Sequence, residues 1–115
     1  MADADKRSAE RVSILGELQG EIMVFQAMLI RDISKSGVTV ETRFPLHLDS
    51  LHDLRLTLAN KSLVVKGRVA DSKISDVDQE LVTYRSVLEF VGASRRVIDA
   101  IREFLITVKA DRTGV

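Results

Sequence analysis

Cysteine is absent from this sequence. That removes disulfides, thiolate metal ligands and cysteine nucleophiles together. An excess of charge is also missing: 17 basic side chains balance 17 acidic ones. Non-specific nucleic-acid binding rests on phosphate neutralisation and leaves a basic footprint, so this balance argues against it, and any anion site has to be local. Long hydrophobic runs are lacking too. A stretch such as Ala27-Met28-Leu29-Ile30 falls far short of a membrane span. The acidic opening Met1 to Asp5 has no apolar core of the kind a secretory signal needs, which makes the cytoplasm the expected compartment. At 115 residues with 45% apolar content, the chain suits one compact domain with a real core. Folding should hide roughly 65% of the unfolded surface.

The patterning is mostly that of strands. Residues 1–11 are polar and read as a flexible arm. Glu21 to Ile30 is dense in strand formers and predicts a first strand. Met23, Phe25 and Met28 read most simply as core, though alternation leaves some of them on the opposite face from Ile22, Val24 and Leu29. Gly37 to Thr42 and Leu54 to Leu58 alternate apolar and polar residues with period two. Asn60-Lys61 predicts a turn into Ser62 to Val69, and hence a hairpin. A polar connector around Ser75 to Glu80 then leads to a last strand over Leu81 to Val91, with Val82, Tyr84, Leu88 and Phe90 facing inward. After it the period changes. Val97, Ile101, Phe104, Leu105 and Val108 recur at spacings of three and four, which predicts an amphipathic helix. Ser94 is placed to cap its start, and Lys109 and Arg112 sit where cations complement its end. Short strands closed by one helix predict an antiparallel barrel, because closure removes exposed sheet edges.

The histidines do not make a site. His47 and His52 lie in one loop near Asp49 and Asp53, and loop polar contacts explain them better than a metal. No serine has a histidine partner at a suggestive position, and Asp76 with Asp78 reads as a solvated turn. No Gly-rich phosphate loop is present. These readings predict a protein that is not an enzyme and carries no cofactor.

Two short motifs remain, each weak alone: Arg7-Ser8-Ala9-Glu10-Arg11 in the arm, and Asp32-Ile33-Ser34-Lys35-Ser36-Gly37 at a strand-to-strand turn. Read singly, the arginines are a solvated pair, and the second motif is an ordinary turn in which Asp and Ser cap backbone and Gly supplies a positive φ. Their order and separation, with the strands and helix that follow, resemble small bacterial PilZ domains from about Arg7 to Leu105. The resemblance implies a mainly β fold, a six-stranded antiparallel β-barrel with a C-terminal α-helix. Residues 1–11 would be the arm, 12–110 the barrel and helix, and 111–115 a tail.

The resemblance also implies a receptor for the second messenger cyclic diguanylate (c-di-GMP) that signals to a separate protein partner. Arg7 and Arg11 would grip phosphate and base, while Asp32, Ser34 and Gly37 form the barrel half of the site. Lys6 would influence whether one ligand or a stacked pair binds. The chemistry suits these roles. Guanidinium forks match phosphate oxygens or guanine O6 and N7, and a carboxylate accepts from guanine N–H groups. A hydroxyl donates and accepts, and glycine permits close approach or a sharp turn. Some members of the family have no ligand and serve as protein-interaction adaptors, which is the alternative function.

Overall fold

The structure, a computed structural model, describes residues 9–22 and 26–113, with no account of side chains beyond 110. Seven strands and one helix follow in order: β1 (Val12–Ser13), β2 (Gln19–Ile22), β3 (Gln26–Ser34), β4 (Gly37–Thr42), β5 (Leu51–Leu58), β6 (Lys61–Asp78), β7 (Leu81–Val91) and α1 (Arg95–Thr113). Every pairing is antiparallel. The order β3-β2-β5-β6-β7-β4 returns to β3 through a β3–β4 pairing, so six strands close a barrel, and β1 adds an outer strand on β3. The expected architecture is therefore present.

Closure concentrates the apolar residues inside. Ile22, Ile30, Ile33, Val38, Val40, Leu54, Leu56, Val69 and Leu88 are fully buried. Along β5, β6 and β7 they alternate with more exposed residues, as the two faces of a pleated strand require, whereas β4 is buried on both faces. On β7 the inward set is Tyr84, Ser86, Leu88 and Phe90, and Ser86 meets the Ser72 hydroxyl at 2.9 Å, which satisfies a polar pair among apolar neighbours. The helix lays Ile101 completely into the barrel's end, flanked by Val97, Ala100, Phe104 and Leu105. Its start is capped as predicted: the Val97 amide donates to Ser94 Oγ at 3.3 Å. Lys61 to Glu103 (2.9 Å) ties it to the β5–β6 turn.

Three sequence expectations change. The segment Glu21 to Ile30 is not one strand but parts of two, β2 and β3, paired with Gly20 opposite Met28 and Glu21 opposite Ala27. Met23, Val24 and Phe25 between them lie outside the described residues. Met28 is buried, as expected of a core residue, while Leu29 is half-exposed on the outer side. The polar segment from Ser75 is not a connector. Ile74 pairs with Tyr84 and Val77 with Val82, so two cross-strand apolar pairs carry the ladder to Asp78, with bulges near Asp71 and Ser75. Finally, the β5–β6 turn falls on Ala59-Asn60, one residue earlier than expected.

Ala59 has a φ of 57° in that turn. A left-handed conformation costs a Cβ-bearing residue about 1–2 kcal/mol, whereas glycine adopts it freely and loses about 0.5–1 kcal/mol of chain entropy in return. Ala59→Gly is therefore expected to stabilise the protein by about 0.5–1 kcal/mol. A thermal midpoint raised by a few degrees would bear this out.

Candidate functional site

The second motif is the β3–β4 turn and the strand ends beside it. Ser34 is fully buried. Its Oγ accepts from the Ser36 amide at 3.1 Å, lies 3.2 Å from the Ser36 hydroxyl, and donates to the Gly37 carbonyl at 3.4 Å. Its hydroxyl thus holds the turn rather than facing outward. Gly37 begins β4 and pairs with both Ser34 and Glu89. Among the described residues the glycines with positive φ are Gly16 and Gly92, so Gly37 is not required for a left-handed turn, contrary to expectation. Its role is steric. A Cβ there would lie 2.5 Å from the Leu88 carbonyl oxygen and 3.4 Å from Arg11 Nη2.

Arg11 arrives from the residue just before β1, which pairs with β3 through Val12 opposite Ile33 and Ser13 opposite Asp32. That pairing fixes where the arm meets the barrel. Arg11 Nη1 donates to Asp32 Oδ1 at 3.3 Å across a sequence separation of 21 residues. The side chains stay 34% and 26% exposed, so both remain open to a ligand. The fold therefore brings Arg11, Asp32 and Gly37 to one spot and places Ser34 directly beneath it. Lys6 and Arg7 lie outside the described residues.

Charged residues to which the sequence reading gave no ligand role lie next to this spot. A cavity of about 260 Å³ beside it is lined by Glu10, Lys35, Arg102 and Lys109, with Val12 and Leu105 as apolar wall. Lys109 is ion-paired to Glu10. Three cations against one carboxylate make a local positive field in a chain of zero net charge. The only hint in the sequence was the spacing of Arg102 and Lys109, seven apart on the face that also carries Leu105.

Farther along the same outer wall, Glu41 accepts from Arg31 Nη2 at 2.7 Å and from Arg85 Nη2 and Nε at 2.6 and 3.2 Å. Its side chain is only 9% exposed. Burial is the largest single influence and by itself would raise its pKa. The hydrogen bonds and charges of the two arginines together outweigh burial and hold the carboxyl below its ordinary 4.5. A lowered folded-state pKa means stability that is present above the unfolded value and lost as pH falls through the folded one. Glu41→Gln is therefore expected to flatten the loss of stability below about pH 4.5, measured as urea midpoints at successive pH values.

Of the two histidines, His47 lies in a loop as expected but His52 lies in β5, where its Nε2 is 2.8 Å from Ser50 Oγ, which donates to the His47 carbonyl. Burial, then the charge of His47, lowers the His52 pKa. Among the described residues no cluster of histidines and carboxylates is arranged to hold a metal, and no helix is long and apolar enough to cross a membrane.

Comparison with known proteins adds the following. The family model described as PilZ domain matches residues 5–107. No curated protein sequence matches significantly. Among solved structures, the chain is similar to the PilZ domain of Escherichia coli YcgR with c-di-GMP at a TM-score of 0.75 and 13% identity, covering 92% of this chain and 93% of that one. It is also similar to Bacillus subtilis inhibitor of motility MotI/DgrA, with a TM-score of 0.73, 16% identity and coverage of 91% and 51%. The K. pneumonia MrkH–c-di-GMP complex matches at a TM-score of 0.73 and 19% identity, with coverage of 92% and 54%. The chain thus spans about half the length of the MotI/DgrA and MrkH chains. At these identities the likeness is one of fold.

Proposed function

The chain belongs to the PilZ domain family, and on that premise we propose that it is a receptor for c-di-GMP. The observation that carries the reading is the meeting of its two motifs: Arg11 reaches Asp32 directly over the Gly37 backbone. A guanidinium fork, a carboxylate and a bare backbone edge, side by side and partly exposed, are suited to a ligand made of guanines and phosphates. The local positive field from Lys35, Arg102 and Lys109 favours an anion there.

Arg11 and Asp32 pair with one another through a single hydrogen bond. A guanine entering the site gives each a new partner: O6 and N7 for the guanidinium, N1–H and N2–H for the carboxylate. Arg7, four residues earlier in the arm, supplies the second guanidinium, and closure of residues 1–11 over the ligand is the change passed to a protein partner. Ordering an arm costs entropy, which sets the affinity on the order of micromolar or somewhat tighter. Ser34 acts in this scheme by fixing the turn.

Isothermal titration with c-di-GMP tests the proposal. Binding by the wild type that is lost in an Arg7→Ala/Arg11→Ala double variant supports it, and the endpoint gives the stoichiometry that Lys6 influences. A folded wild type that takes up no ligand at roughly several hundred micromolar would leave the adaptor role as the working one.

A further inference from the structure

Strands β6 and β7 outrun the barrel. Arg68 is the last residue of β6 paired to β5, and Tyr84 is the first residue of β7 paired to β4. The two strands nevertheless stay paired with each other out to Asp78 and Leu81. From Ala70 to Asp78 the projecting part of β6 spans roughly 25–30 Å. Directly opposite residues of an antiparallel pair share a face. Ile74 lies opposite Tyr84 and Val77 opposite Val82, and Tyr84 belongs to the inward row of β7. The face that is core inside the barrel therefore continues onto the ribbon. There Ile74 and Val77 are 58% and 59% exposed, and Val82 and Tyr84 are only half-buried. A two-stranded ribbon is marginal by itself and gains stability when its apolar face is packed.

The opposite face carries charge. Asp71, Asp76 and Asp78 pair with Val87, Thr83 and Leu81 of the outward row of β7, and Glu80 sits in the turn. Between Ala70 and Val82 the four carboxylates stand against one cation, Lys73. Among the described residues none of the four is in an ion pair, whereas most carboxylates of the barrel and helix are. An uncompensated negative ribbon repels a second copy of itself and attracts a cationic partner.

We propose that this ribbon is a docking surface for a cationic amphipathic helix of another protein. The apolar patch is two strands wide and about 10 Å long, which fits one stripe of a helix of about the same width over two turns. Lysines or arginines flanking that stripe reach round the edges of so narrow a ribbon to Asp76, Asp78 and Glu80, with their stems on the apolar rim. Gly37 pairs with Glu89, and Val82 lies about 23 Å from Glu89 along β7. The surface is therefore separate from the two motifs and stands whether or not c-di-GMP binds.

The probe is a fluorescein-labelled peptide of leucine and lysine in amphipathic order, roughly 18 residues long so that it holds a helix. Fluorescence anisotropy compares it with a leucine–glutamate and a serine–lysine peptide of the same length. Wild type is titrated beside Ile74→Ser/Val77→Ser, Asp76→Asn/Asp78→Asn and the control Leu51→Ser/Val64→Ser, which removes two similarly exposed apolar side chains from the β5–β6 wall. Wild type and control are expected to bind the leucine–lysine peptide about tenfold more tightly than the other two, and each ribbon variant to lose about tenfold. Thermal melts verify folding, and the acid variant, which removes no apolar contact, keeps the test decisive if the apolar one unfolds. A folded wild type that ignores the leucine–lysine peptide overturns the proposal. Equal uptake of the serine–lysine peptide marks bare charge attraction and overturns it, as does a loss in the control as large as in the ribbon variants. A wild type that sediments as a dimer dispersed by Ile74→Ser/Val77→Ser would put a second copy on this face and overturn it too.

Discussion

Gly37→Ala should destabilise the protein by about 3 kcal/mol, the upper end of what overpacking a core position costs. The added methyl would lie 2.5 Å from the Leu88 carbonyl oxygen, a backbone atom that cannot swing aside. Relief requires β4 to move away from β7, and the β4–β7 pairing is one of the six that close the barrel. Gly67→Ala is the informative comparison. There the nearest atom is Leu54 Cδ1, at 2.9 Å, the end of a side chain that can change rotamer. A cost nearer 1 kcal/mol is expected at Gly67, at the low end for overpacking. Urea denaturation of the two variants side by side checks this, and equal costs would show that Gly37 is no tighter than an ordinary core glycine. Gly37→Ala should also weaken c-di-GMP binding, because the same methyl crowds Arg11 Nη2.

Arg11→Ala should do the reverse, with a small effect on stability and a large one on binding. Its ion pair with Asp32 is partly exposed, and such pairs contribute about 0–1 kcal/mol to folding. Removing one charged partner from a ligand contact costs about 2–5 kcal/mol. That corresponds to roughly 30-fold to several-thousand-fold in Kd. Titration and thermal melting on the same sample separate the two quantities. An Arg11→Ala protein that kept wild-type affinity would remove this residue from the site, while an equally large fall in melting temperature would mark it as structural. The opposite profiles of Gly37→Ala and Arg11→Ala distinguish a residue that shapes the site from one that holds the ligand.

How much of this was legible beforehand depends on which physical signal each feature left. The helix announced itself through Val97, Ile101 and Phe104 because one face of a regular helix must be apolar to pack, and Ser94 marked its start. Strands β5 and β7 were legible because one face of each is more deeply buried than the other, and β4 because apolar and polar residues alternate along it even though both its faces are covered. The β2–β3 hairpin was not. Apolar residues continue through 22–25 without the Gly, Pro, Asn or Asp that mark most turns, so periodicity ran across the reversal. The β6–β7 ribbon misled in the other direction. Asp71, Asp76 and Asp78 point to a loop by composition, yet Ile74 and Val77 find partners only once β7 is folded back.

At the site, the motifs gave Arg11, Asp32 and Gly37, and the fold joined them. What no motif encoded was Ser34's burial in the turn. The Arg31–Glu41–Arg85 trio was equally hidden, since it is assembled from three strands at separations of 10 and 44 residues. Sequence spacing is silent about contacts that exist only through strand register.

The same ribbon has a consequence for the protein's behaviour in concentrated solution. Among the described residues, β6 beyond Val69 has β7 as its sole ladder partner and β7 before Tyr84 has only β6, so within that set both outer edges of the tip offer unpaired backbone. Ile74, Val77 and Leu81 are exposed there. Such a tip is a template for edge-to-edge association, and Asp71, Asp76, Asp78 and Glu80 are the like charges that hold two copies apart. The acids that made this segment look like a loop act as gatekeepers against aggregation, and they lose that power wherever salt screens their mutual repulsion.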